Sequence, residues 1–140
     1  MEIETCRTVV YPWLCDSNQH FATQHYMAVF DDATWQLFGH LGYLPRDVSR
    51  TNLGFADVKH EISYKKELLA GDLLVTRSSV VRLGTKSFTY RHRLLRLGED
   101  EEESAEMIGV AVHFDLKRRV ALELSDAFRA TAMSLMSQPE

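Results

Sequence analysis

Cysteine is scarce in this sequence: Cys6 and Cys15 are the only two in 140 residues. Two thiols cannot build a disulfide scaffold, and their spacing matches no metal-ligand pattern. Both are read as reduced thiols of a cytoplasmic protein. Positive charge is not in excess either. Lys and Arg number 16 against 20 Asp and Glu, a net charge of −4. That balance gives no general means of neutralising nucleic-acid phosphates. No basic segment followed by an apolar stretch opens the chain, so no signal peptide is expected. No apolar run reaches the roughly 20 residues of a membrane span, so no membrane partner is expected. The Gly-x-Ser-x-Gly elbow of α/β hydrolases, the phosphate loop and the dinucleotide glycine fingerprint are all missing. His20 and His25 stand five apart without a zincin motif, and no metal site is expected.

What remains is an ordinary globular composition, 45% hydrophobic and 26% charged. The length suits one domain over residues 1–140. Such a chain buries roughly two thirds of the surface its unfolded form exposes.

Hydrophobic period divides the chain. Glu2 to Tyr11 alternates loosely and reads as a strand, which Pro12 ends. Trp13 to Ala22 is polar and irregular, a loop. Tyr26, Phe30, Ala33, Leu37 and Leu41 then recur at three- and four-residue steps. This predicts a helix of about five turns with Thr23 as N-cap and Gly42 as stop. Gly42 to Ala56 reads as a long connection. Beyond it the period falls to two. Val58 to Tyr64, Leu73 to Leu83, Ser87 to Leu97 and Ser104 to Leu116 read as four strands of an antiparallel meander. The acidic run Glu99 to Glu103 reads as a solvated turn. Ser125 to Met136 reads as a short helix capped by Ser125. The expected class is α+β: a sheet of about five strands curled around one long central helix.

The stretch of chemical interest is Trp13 to His20, just before the long helix. A helix N-terminus leaves backbone N–H groups unpaired and carries partial positive charge, so it can hold an oxyanion. A carboxylate beside it can attack a polarised carbonyl or activate a water. Asp16 and the amides near Thr23 have this chemistry. Asp, Ser and Asn are equally common as turn residues that bond nearby backbone, and His20 as a structural hydrogen-bonder. Glu61 falls on the polar face of its strand, solvated or interfacial. Trp13, Phe21, Tyr26 and Trp35 are candidates to pack an apolar chain, a ring or a quaternary ammonium; the bland reading for each is core.

Asp16, His20 and Tyr26 keep the spacing of the Asp-x-x-Gly-His-(five residues)-Tyr signature. Ile62-Ser63-Tyr64 and Leu69-Ala70-Gly71-Asp72-Leu73 match a second patch. With these residues the chain resembles acyl-CoA thioesterases of the 4-hydroxybenzoyl-CoA type, over roughly Val9 to Leu116. Asp16 to His20, with Phe30-Asp31-Asp32-Ala33-Thr34, looks closest to the branch associated with carnitine and betaine metabolism. The resemblance implies a hotdog fold, homodimers or homotetramers with sites at subunit interfaces, and hydrolysis of an acyl-CoA thioester to free acid and coenzyme A. It implies no cofactor beyond the coenzyme A of the substrate. By position, Asp16 matches the nucleophile or general base, and the backbone amide of Thr23 matches the oxyanion donor. Asn18 and His20 would orient the loop or the acyl group. Trp13, Gln19, Phe21, Tyr26 and Glu61 are the candidate substrate contacts. Gln19 stands where the family has Gly, a position whose backbone angle Gln tolerates poorly. Either the loop takes another shape, or Gln19 touches substrate.

Coenzyme A carries several phosphates, for which Arg82, Lys86, Arg91 and Arg93 are candidate partners; the plainer reading is exposed strand charge. Two other functions fit a hotdog protein. One is a non-catalytic acyl-CoA sensor, and the other a hydratase or dehydratase.

Overall fold

The computed structural model of the chain describes residues 1–136. In chain order the elements are β1 (Ile3–Val9), α1 (Thr23–His40), α2 (Val48–Thr51), β2 (Leu53–Tyr64), β3 (Leu73–Leu83), β4 (Ser87–Arg96), β5 (Glu102–Asp115), β6 (Val120–Ala121) and α3 (Asp126–Met133). Single 3₁₀ turns occupy Pro12–Leu14 and Pro45–Asp47.

One antiparallel sheet runs β1-β3-β4-β5-β2, with β6 paired to β5. The expected meander therefore holds only for β3, β4 and β5. β2 pairs with β5 along its whole length, from Leu53↔Asp115 to Tyr64↔Ala105, instead of with β3. The reason lies in residues 65–72. They are too long for a hairpin turn and cross the end of the sheet, anchored by fully buried Leu68. β2 also begins at Leu53, inside the stretch read as a connection. The acidic run is only partly a turn, because Glu102 and Glu103 open β5. Glu101, Glu102 and Glu103 are spent on Arg77, Arg96 and Lys65.

The sheet curls around α1, and the two periods interlock. Along β4, Phe88, Tyr90, His92 and Leu94 point inward and are buried, while Ser87, Thr89, Arg91 and Arg93 alternate outward. On α1 the predicted stripe of Tyr26, Phe30, Ala33, Leu37 and Leu41 is buried, joined by Val29, Thr34 and Phe38. Removing a ring such as Phe30, fully buried here, typically costs about 3–5 kcal/mol.

The helix ends as expected. Gly42 takes φ +88. The amides of Gly42 and Tyr43 close on the carbonyls of Gly39 and Phe38 in a Schellman arrangement. Its start differs: Ala22 is the N-cap, with no side-chain cap, and Thr23 is the first helical residue. The loop dictates this, because the Ala22 amide donates to Leu14 O at 2.9 Å and Cys15 bridges Phe21. Ser125 caps α3 as expected, accepting from the Phe128 amide at 3.1 Å.

A polar chain runs beneath α1. Thr34 Oγ1 donates to Phe30 O and lies 2.9 Å from His92 Nε2. His92 Nδ1 lies 2.6 Å from Ser78 Oγ, which meets Thr5 Oγ1 at 2.7 Å. The Thr34 proton is committed to Phe30, so His92 donates through Nε2 and accepts Ser78's proton at Nδ1. Burial first, and His60 second, push the His92 imidazole down to about 3, so it stays neutral. The network pins helix to sheet with both ring nitrogens satisfied.

Candidate active site

The loop before α1 is built from its own backbone. The Asp16 amide donates to His20 O at 3.0 Å, and the Gln19 amide donates to Asp16 O at 2.9 Å. The Asn18 amide donates to Asp16 Oδ1 at 2.8 Å. This turn requires one residue in the left-handed region, and Gln19 supplies it at φ +66. Gln19 thus adopts the conformation that Gly would take without strain, at a cost of about 1 kcal/mol.

The loop is tied to the connector between β2 and β3. The Phe21 amide donates to Leu68 O at 2.8 Å. One residue earlier on each side, His20 Nε2 meets Glu67 Oε2 at 2.5 Å. Between the two segments lies an open cleft of about 320 Å³. One wall carries Asp16, Asn18, His20, Phe21, Thr23 and Tyr26. The other carries Tyr64, Lys65, Lys66 and Glu67.

Six of the nine residues singled out from sequence therefore share one cleft. Trp13, Gln19 and Glu61 do not line it. Trp13 is 74% exposed and stacks on Tyr11 with ring centroids 4.7 Å apart. Gln19 is exposed and serves the backbone. Glu61 is exposed on β2, opposite Ile108. Tyr26 is core and cleft at once. It is buried against Phe21 (4.8 Å) and Tyr64 (5.0 Å, edge-on), and still reaches the cleft floor. Burial first, and Tyr64 second, raise its hydroxyl above the usual phenol range, so it remains protonated.

Lys65, Lys66 and Glu67 were invisible from sequence as site residues. A Lys-Lys-Glu run after a strand reads as surface. Only the long-range pairing of Phe21 with Leu68 brings it to the loop. Arg91 and Arg93 are occupied elsewhere, on Glu106, Glu103 and Glu2 of the outer sheet face.

The missing cap has a consequence at the cleft. His25 N–H bonds Ala22 O at 2.9 Å, so Thr23 and Gln24 keep the first-turn donors. Among the described residues no side chain caps this end, so these amides and the helix dipole are available to an anionic oxygen. Asp16 Oδ1 is held by Asn18, which leaves Oδ2 for chemistry. A carboxylate, unpaired amides and a His–Glu pair around one cleft suit acyl transfer.

A second cavity of about 220 Å³ lies at the far end of α1, against Tyr43, Phe55, His113 and Phe128. Two of its polar atoms are already engaged: Tyr43 OH on Leu53 O, and His113 Nδ1 on Glu123 O. Among the described residues no carboxylate lines it. Among the described residues no group of His, Cys, Asp and Glu is placed to hold a metal. No helix among them is long and apolar enough to cross a membrane.

Comparison with known proteins adds to this geometry. The family model described as the thioesterase-like superfamily matches residues 10–132. No curated protein matches the sequence. Among solved structures, a Staphylococcus aureus hypothetical protein in complex with CoA superposes with a TM-score of 0.86 at 14% identity. The alignment covers 100% of this chain and 90% of that one. The 4-hydroxybenzoyl CoA thioesterase of Pseudomonas sp. strain CBS-3 gives 0.81 at 20% identity, covering 93% and 98%. A gentisyl-coenzyme A thioesterase gives 0.77 at 20%, covering 90% and 97%. At these identities the likeness is one of fold.

Proposed function

The chain belongs to the thioesterase-like superfamily and has its hotdog fold; from that premise we propose that it hydrolyses an acyl-CoA thioester to the free acid and coenzyme A. The observation that carries this reading is the cleft that Asp16 lines together with Thr23, the first residue of a helix whose N-cap has no side-chain cap. The thioester carbonyl oxygen would sit on the Thr23 amide, whose hydrogen bond strengthens as the oxygen becomes an oxyanion. Asp16 Oδ2 would attack the carbonyl carbon, or take a proton from the water that does. The C–S bond then breaks, and coenzyme A leaves as a thiolate that needs little acid assistance. Asn18 holds the carboxylate in place. Phe21, Tyr26 and Tyr64 form the apolar side of the cleft and would pack the acyl group. Of the two lysines lining it, Lys65 is engaged by Glu103 and Glu106, whereas Lys66, 3.8 Å from Glu102, would be the nearer candidate for a coenzyme A phosphate. No cofactor enters this reaction, and the cytoplasm is the proposed compartment.

The active unit in this proposal is a homodimer or a larger homo-oligomer. β2 supports that reading. It is the sheet's end strand, twelve residues long, and residues 57–61 are all exposed, with Val58 at 61%. A long unpaired edge of this kind is a template for pairing with another strand. A second copy would also deepen a cleft that is open in one chain.

For the acyl group we propose one that an aromatic-lined cleft accepts, a ring or a betaine-like quaternary head. The motif around Asp16 to His20 favours the carnitine- and betaine-associated branch.

Thiol release from short, long, aromatic and betaine-like acyl-CoA esters tests the activity, with Asp16→Asn alongside. Release that collapses in the variant supports both reaction and carboxylate. Release that survives removes Asp16 from the mechanism. Binding without release from any ester would make the protein an acyl-CoA sensor, and an altered double bond would make it a hydratase.

A further inference from the structure

The thioesterase reading needs one carboxylate, and the cleft holds two. Glu67 lines it together with Asp16. Its Oε2 lies 2.5 Å from His20 Nε2. Resting on the thioesterase reading, we propose that Glu67 and His20 form a dyad in which Glu67 positions the imidazole and His20 is the base for the water that completes hydrolysis.

Three features of the fold carry this. First, the contact is built by the backbone. Phe21 N–H on Leu68 O sets the neighbouring residues His20 and Glu67 side by side, and fully buried Leu68 anchors the connector. Second, whenever the imidazole is neutral, a carboxylate on Nε2 keeps the remaining proton on that nitrogen. That leaves Nδ1 as a lone pair, and no hydrogen bond occupies it among the described residues. Third, His20 and Asp16 line the same cleft, joined across the five-residue turn from Asp16 to His20 by the Asp16 amide on His20 O at 3.0 Å.

The step follows from that geometry. Attack by Asp16 Oδ2 on the thioester forms an acyl–aspartyl anhydride and expels coenzyme A thiolate. A water oxygen then attacks the acyl carbon, and its proton passes to His20 Nδ1. The bond from the acyl carbon to Asp16 breaks, regenerating the carboxylate and leaving the free acid. His20 returns its proton to solvent. Glu67 touches no reacting atom; it holds the ring.

The test uses the ester that the wild-type protein cleaves fastest in the panel. His20→Asn lowers kcat by about 100-fold or more, the usual scale for a general base. Glu67→Ala lowers it by about 10-fold, and Glu67→Gln, which keeps an acceptor for Nε2, recovers part of that loss. In each variant a rapid burst of about one thiol per site remains, and intact mass shows the acyl group on the protein. Loss of the burst along with kcat, or unchanged kcat in either His20→Asn or Glu67→Ala, overturns the proposal. Nitrogen NMR of the His20 ring, assigned by its absence in His20→Asn, gives a readout independent of activity. The Nε2–H tautomer dominates in wild type and gives way to a mixture in Glu67→Ala; an identical ring in both overturns the positioning role. A wild-type protein that releases no thiol from any ester defeats the thioesterase reading instead, and the ring signal still decides whether Glu67 sets the imidazole.

Discussion

The backbone N–H of Asn18 and the Oδ1 of Asp16 are joined by a 2.8 Å hydrogen bond, so the side chain proposed for chemistry also closes its own turn. The two roles separate on substitution. Asp16→Asn keeps an oxygen that accepts the same amide, but loses the nucleophilic carboxylate. Thiol release is expected to fall by about 100-fold or more, with melting temperature and oligomeric state unchanged. A variant that unfolds would show that Asp16 serves structure first.

Gln19 carries backbone strain at φ +66. Gln19→Gly removes that strain but enlarges the freedom of the unfolded loop, and the two effects oppose. Stability by urea denaturation is expected to change by less than about 1 kcal/mol, with activity within a few-fold of wild type. Gln19→Val, β-branched and poorly tolerated there, is expected to cost about 1–2 kcal/mol and to lower kcat by displacing Asp16.

How far this was legible follows from which signals are local. The stripe from Tyr26 to Leu41, the strand alternation and the Ser125 cap depend on residues within a turn of one another, and they put α1, β3, β4, β5 and α3 in the right stretches, whereas α2 and the first residues of β2 lie in the stretch read as a connection. The likeness of Asp16, His20 and Tyr26 to a known signature located the loop. Strand order is a different kind of fact. Nothing in Val58 to Tyr64 says that its neighbour is β5 rather than β3, because the same alternation serves either pairing. Glu67 and the two lysines beside it were missed for the same reason: their place in the cleft depends on Phe21 finding Leu68. The helix start was misassigned because Thr23 is a better capping residue than Ala22 by chemistry, while the loop's hydrogen bonds decide the register.

His92 gives a pH signature. Its folded value is depressed to about 3 from an ordinary 6.5. Between those values the unfolded chain binds a proton that the folded one refuses. This contribution to stability is therefore whole above pH 6.5 and is lost as the pH falls towards 3, by up to about 1.4 kcal/mol per unit. Unfolding free energies measured from pH 7.5 to 4 should decline more steeply for wild type than for His92→Gln. Parallel curves would remove His92 as the cause.

Gly109 on β5 is dictated by its neighbour. A Cβ there would stand 2.3 Å from the Tyr90 ring, and Tyr90 is fully buried with its hydroxyl on Asp57 Oδ1 at 2.8 Å. Gly109→Ala should destabilise by about 1–3 kcal/mol or more through overpacking. Tyr90→Leu in the same chain should recover part of that loss, because it removes the atoms that clash. Additive losses in the double variant would place the conflict elsewhere.

Val58, the most exposed apolar side chain of β2, tests self-association. Wild type is expected to sediment as a dimer or larger, and Val58→Asp to shift it towards monomer with reduced thiol release. A wild type that is monomeric at micromolar concentration would remove the edge-pairing proposal.

The strand order also sets a timetable. During synthesis Leu53 to Tyr64 emerge well before Ala105 to Asp115, the residues that will pair with them. Until then β2 has no partner within its own chain, and the cleft wall that follows it, Tyr64 to Glu67, has no fixed place. The loop before α1 is made early and its opposite wall is made early, yet neither is assembled until the last long strand arrives. Long-range pairing of this kind is slow and leaves apolar edge exposed meanwhile. A nascent chain truncated before β5 is therefore expected to lack the assembled cleft and to stick to its neighbours.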